Sequence, residues 1–401
     1  MSARVILGVG AGIAAYKACE LLRRLTESGH QVRVVPTADS LHFVGAATWA
    51  ALSGEPVTAS PWDDVQEVPH VRLGQTADLV FVAPATADLL ARAAAGRADD
   101  LLTSVLLTAR CPVVFAPAMH TEMWEHPATR ANVATLRSRG CLVIDPASGR
   151  LTGPDTGPGR LPEPDELWRV AVRVLARGPA GLAQDLGGRR VVVSAGGTRE
   201  EIDPVRFIGN WSSGKQGYAL ARAAVARGAE VTLVAANVEA ADPAGATVIR
   251  VTSACEMRSE MMAASAGAGA VVMAAAVADY RPAARSEEKI KKAGAAPAPL
   301  SLVENPDILR ELTAKRMPGQ VITGFAAETG NVAENGRAKL AAKACDLLVV
   351  NQVGSGLAFG TSDNAAIILG ADGTVTEVPR GPKEVLADVV WDLVLARLPA
   401  T

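Results

Sequence analysis

The apolar positions of the chain fall in short β-branched runs separated by longer stretches of helical period. Val5–Val9, Gln31–Val35, Leu79–Ala83, Val113–Ala116 and Leu142–Ile144 read as strands, with amphipathic helices between them. Strands this apolar are buried on both faces, so the rhythm predicts a parallel sheet covered by helices, a doubly wound α/β domain. Pro and Gly crowd residues 146–164, which read as a functional flap rather than a plain connector. A helix over Asp165–Arg177 closes the domain. From Gly178 to Gly188 the chain is small and uncommitted, which marks a boundary. The predicted domains are residues 1–180 and 189–401.

The second half repeats the class. Strands are expected at Val191–Ser194, Glu230–Ala235, Thr247–Val251, Ala270–Ala274, Val321–Phe325 and Leu347–Asn351. Ala365–Leu369 and Thr374–Val378 flank an Ala-Asp-Gly-Thr hairpin signal, and a last helix spans Pro382–Leu398. Twice a strand breaks into a glycine turn and then an Ala-rich helix, once from Val5 to Tyr16 and again from Val191 through Gly196-Gly197. A strand that turns sharply into a helix aims N–H groups and the positive end of the helix dipole at one point, which suits a phosphate. Two phosphate-binding α/β units are therefore expected, both doubly wound and Rossmann-like.

Charge narrows the partners. Lys and Arg total 40 against 42 Asp and Glu, without like-charge blocks and with few aromatics, so small anionic ligands fit better than nucleic acid or a membrane surface. The five cysteines (19, 111, 141, 255 and 345) are scattered and never spaced C-x-x-C, which suits free thiols in a reducing cytoplasm. Met261–Ala278 carries no charge over 18 residues, but its Ala, Gly and Ser read as a helix end, a turn and a strand. Val5–Tyr16 reads as a buried first strand, not a signal peptide.

The motifs are specific to different degrees. Gly8-Val-Gly-Ala-Gly12 is an incomplete dinucleotide fingerprint, and Val35-Pro-Thr-Ala-Asp39 stands where an acidic ribose partner is required, which disfavours an NAD-dependent dehydrogenase. Thr37 and Ser40 offer hydroxyls for a mononucleotide phosphate, or plain caps. The loops after Leu79–Ala83 and Val113–Ala116 both read Ala-Pro-Ala and should converge on one crevice, where Thr86 and Asp88 are ligands or caps. His70 is structural, solvated or catalytic on residue type alone. His120 and His126 match no common zinc spacing.

In the second half, Gly209-Asn-Trp-Ser-Ser-Gly-Lys-Gln216 is a near-miss Walker A loop whose Gln216 replaces the magnesium-binding hydroxyl. It could still cradle an anion through Ser212, Ser213 and the N–H groups after Gly214. Ala274-Ala-Ala-Val-Ala-Asp279 followed by Glu288-Lys-Ile-Lys-Lys292 sets an Ala-lined strand end beside a lysine cluster, which suits a triphosphate, with Asp279 for a ribose or metal. Lys339 and Lys343 share one helix face, as phosphate contacts or as wet surface.

Together these residues resemble one family, the bifunctional phosphopantothenoylcysteine decarboxylases and phosphopantothenate-cysteine ligases of coenzyme A biosynthesis. The resemblance rests on the Gly-Ile-Ala-Ala-Tyr-Lys17 opening, His70, Ala-Pro-Ala-Thr-Ala-Asp88, Pro117-Ala-Met119 and Gly157-Pro-Gly-Arg160 in the first half. In the second it rests on Gly-Gly-Thr-Arg-Glu200, Asn210-x-Ser-Ser-Gly-Lys215, Ala-Ala-Ala-Val-Ala-Asp-Tyr280, the lysine cluster, Asn305-Pro-Asp-Ile308 and Gly324-Phe-Ala-Ala-Glu328.

The resemblance implies FMN-dependent decarboxylation of phosphopantothenoylcysteine to 4'-phosphopantetheine by the first half. His70 would be the catalytic histidine. FMN would be held by Gly10, Gly12, Ile13 and Ala14, by Thr37 and Ser40, by Pro84, Ala85 and Thr86, and by Thr103, Ser104 and Met119. His120 stands where the family has a substrate-binding asparagine, and Arg160 would also meet substrate. Gly153 replaces a flap cysteine that donates a proton, so Cys141, water or another acid would supply it.

For the second half it implies CTP-dependent ligation of L-cysteine to 4'-phosphopantothenate through an acyl-cytidylate. Asn210 would meet the acyl intermediate and Lys289 the α-phosphate, with Mg2+ bridging phosphates and touching Asp279. Ala274, Ala275, Ala276 and Asp279, then Pro306, Asp307, Ile308 and Leu309, and then Phe325, Lys339 and Lys343 would surround the nucleotide. The family also implies trimeric decarboxylase halves and dimeric ligase halves. The competing reading is a ligase whose flavin half binds FMN and regulates without decarboxylating.

Overall fold

The computed structural model describes residues 2–58, 69–150, 155–291, 299–328, 331–352 and 363–399. Two compact units emerge, Met1–Ala183 and Gln184–Thr401.

The first unit opens with β1 (Arg4–Val9), α1 (Ala15–Glu27), β2 (Gln31–Pro36) and α2 (Ala46–Ser53). It continues with α3 (Pro69–Thr76), β3 (Leu79–Ala85), α4 (Ala87–Ala94), α5 (Leu101–Thr108) and β4 (Val113–Pro117). After α6 (Thr121–Glu125), α7 (Pro127–Ser138) and β5 (Leu142–Val143) comes a hairpin, β6 (Ala147–Arg150) and β7 (Thr156–Arg160), and then α8 (Pro164–Arg177). The sheet order is β2-β1-β3-β4-β5, all parallel, with Leu7 set between Val34 and Phe81.

Burial on both faces follows from the side-chain period of two. Val5, Leu7 and Val9 face one core with Ala15, Ala18, Leu21, Leu22 and Leu25 of α1, while Ile6, Val80 and Val82 face the other with Leu89 and Leu102. The flap is a hairpin, a strand pairing that its Pro and Gly content had hidden. Its tip, residues 151–154 with Gly153, lies outside the described residues.

The second unit starts with β8 (Arg190–Gly196), β9 (Arg199–Asp203), β10 (Arg206–Gly209), α9 (Lys215–Ala226), β11 (Glu230–Ala236) and β12 (Ala246–Val251). Next come α10 (Ala254–Ser265), β13 (Ala270–Met273), β14 (Tyr280–Pro282), β15 (Leu302–Glu304), α11 (Ile308–Ala314) and β16 (Val321–Glu328). The unit ends with α12 (Val332–Lys343), β17 (Leu347–Gln352), β18 (Asp363–Gly370), β19 (Val375–Pro382) and α13 (Lys383–Leu395). Its sheet runs β12-β11-β8-β13-β16-β17-β18-β19, parallel except for the last two strands, which form the expected hairpin.

One expectation is corrected here. The turn at Gly196-Gly197 does not lead into a helix; it leads into the β9–β10 hairpin, and α9 starts only at Lys215. Neighbouring strand ends take the turn's polar groups: Gly196 O accepts from Ala276 N at 2.8 Å, and Gly197 N donates to Ala236 O at 3.2 Å. A Cβ on Gly196 would lie 1.9 Å from Ala236 O, so this glycine permits backbone contact, not an anion. Met261–Ala278 divides into the end of α10, a turn and β13. No helix among the described residues is long and apolar enough to cross a membrane, and the five cysteines are free.

Candidate functional sites

Each unit places most of its loop candidates where open α/β sheets bind ligands, at the carboxyl ends of strands near the point where strand order reverses. In the first unit that point lies between β1 and β3. Gly10 N donates to Pro84 O at 3.0 Å, Ala118 N to Ala85 O at 3.1 Å, and Met119 N to Gly159 O at 2.9 Å. These bonds join the glycine turn, both Ala-Pro-Ala loops and the flap strand β7 into one ledge. A Cβ on Gly10 would sit 2.6 Å from Pro84 O, whereas one on Gly12 would meet nothing within 4 Å, so the turn is packed on one side and open on the other.

The hydroxyls along this ledge separate by their partners. Thr37 Oγ1 is buried and has no hydrogen-bond partner, although Thr37 stands at the N-cap of the short 3-10 turn Ala38–His42. Ser40 Oγ donates to Thr37 O at 2.7 Å. Thr86 Oγ1 accepts from Leu89 N at 3.2 Å and caps α4, while Asp88 pairs with Arg92. An orphaned buried hydroxyl and a glycine cradle fit a flavin phosphate.

The Thr103 hydroxyl bonds to Asp100 in a capping box, and Ser104 Oγ donates to Asp100 O at 2.8 Å, so both side chains help to start α5. Cys141 stands just before the amino end of β5, its side chain packed against the apolar cluster around Val133 and Leu136. Burial pushes its thiol up. Cys141 thus lies at the opposite end of the sheet from the carboxyl ends of β1 to β4, which carry the flavin candidates.

His70 begins α3 beside the last turn of α5. Thr108 Oγ1 donates to His70 O at 2.7 Å and lies 3.1 Å from Ser104 O, while His70 Nδ1 is buried without a partner. No hydrogen bond joins His70 to the Gly10–Ala14 turn. His120 is exposed at the N-cap of α6 with no capping bond from its ring. Arg160 pairs with Glu163, which Lys17 Nζ also meets at 3.0 Å. Lys17 is buried, and burial holds its ammonium below the usual lysine range, against the pull of Glu163. Sequence reasoning quoted Lys17 within a motif but gave it no role.

In the second unit a cavity of about 460 Å3 opens between the ends of β13 and β16 and the start of α9. Asn210, Ala274, Ala275, Ala276, Asp279 and Leu309 line it, together with Phe325, Lys339 and Lys343. An adjoining pocket of about 430 Å3 shares Asp279, Leu309, Phe325 and Lys343, and is lined also by Pro306, Asp307 and Ile308. Polar side chains hold the Ala wall by its backbone: Ala275 N donates to Ser194 Oγ at 3.1 Å, Ala278 N to Thr198 Oγ1 at 3.0 Å, and Asn210 Nδ2 to Val277 O at 3.1 Å. Asp307 caps α11 through Arg310 N and pairs with Lys343. The hydrogen bond from Lys339 holds the Glu328 carboxyl below the usual carboxylate range. Ile308 lines the adjoining pocket while packing into the core.

Lys289 is not brought to this cavity. Its loop is tied to the β9–β10 hairpin, with Ile290 N donating to Asp203 Oδ2 at 3.1 Å and Arg206 Nη2 to Ile290 O at 2.8 Å, and Lys289 itself is exposed. Lys292 lies outside the described residues. Lys383, Asn364 and Gln216 do line the cavity. Sequence reasoning gave Asn364 no reading and took Lys383 only as part of the last helix; a lysine opening a helix after Gly-Pro was the one available signal.

Family models match both halves: "Flavoprotein" over residues 1–176 and "DNA/pantothenate metabolism flavoprotein C-terminal domain" over residues 186–398. The chain is 56% identical to the coenzyme A biosynthesis bifunctional protein CoaBC of Mycolicibacterium smegmatis, over 98% of each chain. It is 43% identical to the protein of that description from Vibrio parahaemolyticus, over 92% of each. Among solved structures, the C-terminal domain of a coenzyme A biosynthesis bifunctional protein CoaBC is 34% identical, covering 53% of this chain and 97% of that one, with a TM-score of 0.46.

Proposed function

The chain belongs to the family of coenzyme A biosynthesis bifunctional proteins, and from that premise we propose how its two units divide the work. The protein is a bifunctional enzyme: it ligates cysteine to 4'-phosphopantothenate at the expense of CTP, then decarboxylates phosphopantothenoylcysteine to 4'-phosphopantetheine with FMN. The observation that carries this is the match of both halves, in order, to relatives of that description over nearly their whole length.

Ligation belongs to the second unit. A carboxylate does not condense with an amine at neutral pH, so its oxygen first displaces pyrophosphate from CTP, and the amine of cysteine then expels CMP from the acyl-cytidylate. Asn210 meets the acyl group, the Ala274–Ala276 wall and Phe325 take the base, and Asp279, Lys339 and Lys343 take ribose and phosphates. Pro306, Asp307 and Leu309 close the nucleotide end. Asp279 and the phosphates of CTP would hold Mg2+, which would offset the phosphate charge there. Lys289 stabilises the charge that develops on the α-phosphate.

Decarboxylation belongs to the first unit. Gly10, Gly12, Ile13 and Ala14, with Thr37, Ser40 and Pro84–Thr86, hold FMN, and Met119 closes the ledge. FMN, when bound, supplies the two-electron sink that cleavage of an unactivated carboxylate needs. His70 moves the proton at the reacting cysteinyl group. His120 and Arg160 hold the substrate on either side of the flap, and the final proton comes from water or an acid other than Cys141.

Exposed apolar side chains support oligomeric units in a cytoplasmic enzyme. Ile13, Tyr16 and Leu107 of the first unit are 72%, 62% and 56% exposed, which suits trimeric contacts near the flavin turn. Val205, Phe207 and Trp211 project around the β9–β10 hairpin, Trp211 at 87% exposure, which suits a dimer. The test supplies purified protein with phosphopantothenate, cysteine, Mg2+ and CTP and follows products by mass spectrometry. Phosphopantetheine is expected; phosphopantothenoylcysteine accumulating alone would instead favour a regulatory flavin half.

A further inference from the structure

In the first unit the strand that leaves the flap is fixed on both sides of Arg160. Gly159 O accepts from Met119 N at 2.9 Å, and Leu161 O accepts from Lys17 Nζ at 3.0 Å. Lys17 stands in the first turn of α1, just after the glycine turn, and is only 6% exposed. Its ammonium also reaches Glu163 Oε1 at 3.0 Å, and the same carboxylate oxygen accepts from Arg160 Nη2. One carboxylate is thus shared by two cations, one buried and one half-buried.

Fastening α8 does not account for this arrangement. Glu163 is the N-cap residue of α8, yet its side chain makes no capping bond. Arg24 already ties the start of α8 to α1 through Asp165 at 3.0 Å, and Leu167, Ala171 and Val174 pack into the core that holds Leu21, Leu22 and Leu25 of α1. A buried ion pair adds little net stability, because desolvation of the charges offsets their attraction. Against the cost of burial, Lys17 and then Arg160 hold the Glu163 carboxyl below the usual carboxylate range, so it stays charged.

An Arg160–Glu163 pair by itself would be neutral and a poor receptor for an anion, since the guanidinium would be held by its own carboxylate. With Lys17 added, two cations face one carboxylate and one net positive charge remains. Lys17 is buried, so that charge is presented at Arg160, the more open of the two. Phosphopantothenoylcysteine is anionic at both ends, with a phosphomonoester at one and a carboxylate at the other. Resting on the reading of Arg160 as a substrate contact, we propose that Lys17 is a positioning residue for decarboxylation: it offsets Glu163 and anchors Leu161, so that Arg160 keeps both its place and its charge for the substrate.

The test is steady-state decarboxylation of phosphopantothenoylcysteine by the FMN-loaded full chain. Lys17→Met should raise KM on the order of 10- to 100-fold, as for loss of one charge-assisted contact, with kcat and flavin content within about twofold of wild type. The double variant Lys17→Met with Glu163→Gln again has one net positive charge, and its KM should return to within about fivefold of wild type. A clasp that only held the helices together would be weaker still in the double variant, so a KM that stays as high as in Lys17→Met overturns the proposal. If Lys17→Met fails to fold, Glu163→Gln decides by itself: its KM should fall below wild type, because the guanidinium is freed of its carboxylate, and a rise overturns the proposal. Arg160→Gln should raise KM by a factor on the order of 10- to 100-fold as well. An unchanged KM there overturns the reading of Arg160 as a substrate contact and the proposal with it, whereas a raised KM in Arg160→Gln beside an unchanged one in Lys17→Met overturns the proposal alone.

Discussion

Replacing Gly10 with alanine should empty the flavin site while leaving ligation intact. The added Cβ would lie 2.6 Å from Pro84 O, against the 3.4–4 Å of an ordinary contact. The carbonyl cannot swing aside freely, because it accepts the Gly10 N–H at 3.0 Å, and the next residue of its strand, Ala85, accepts from Ala118. Overpacking of this kind costs about 1–3 kcal/mol, and the strained hydrogen bond adds about 0.5–1.5 kcal/mol. The sum, roughly 1.5–4.5 kcal/mol, falls on a unit of 183 residues. At about 2–4 °C per kcal/mol for that size, its melting transition should drop by roughly 3–18 °C. Visible flavin absorbance per protein measures occupancy, thermal melting of the flavin-free protein measures the strain, and CTP-dependent ligation reports on the second unit. Gly12→Ala serves as the control for the melt, because its Cβ meets nothing within 4 Å. A Gly10→Ala protein with full flavin content and an unshifted melt would refute the close-contact argument.

The remaining predictions address each unit by itself. His70→Asn should lower decarboxylation by about 10²–10⁴-fold, as for loss of a proton-transfer group, with ligation unchanged; paired product assays decide it, and loss of both activities would sink the two-site model. Lys289→Gln should do the reverse, slowing formation of the acyl-cytidylate but not the decarboxylation of supplied phosphopantothenoylcysteine; an unaffected ligation rate would remove Lys289 from the site. Burial pushes the Cys345 thiol up to about 11 from an ordinary 9.0. The unfolded thiol therefore loses its proton first, and stability should fall as pH rises from about 9 to about 11, by about 2–3 kcal/mol. Urea unfolding at both ends of that window checks this: Cys345→Ala should lose that part of the slope, and an unchanged slope refutes it.

The layers of the fold were legible because periodicity reports burial. β-branched runs such as Val191–Ser194 and Val5–Val9 had to be doubly covered strands, and the Ala-Asp-Gly signal fixed the last hairpin. The paired Ala-Pro-Ala loops were readable as one crevice, and the Ala118 to Ala85 hydrogen bond joins them. What a polar group does once folded was not readable in that way. The bond from Thr103 to Asp100 could not be read from residue type, and Gly196-Gly197 looked like a turn into a helix until the β9–β10 hairpin followed it, with Ala236 and Ala276 taking its backbone groups. The sequence by itself determined which positions are buried, where the chain turns and what family chemistry it resembles, since these depend on residue type and local spacing. Only the tertiary structure decided which hydroxyls stay unpaired, why Cys141 sits at the amino end of its strand, and that Lys383 shares a cavity with Lys215, 168 positions earlier in the chain. Those outcomes depend on partners supplied by segments remote in sequence, and no local pattern encodes them.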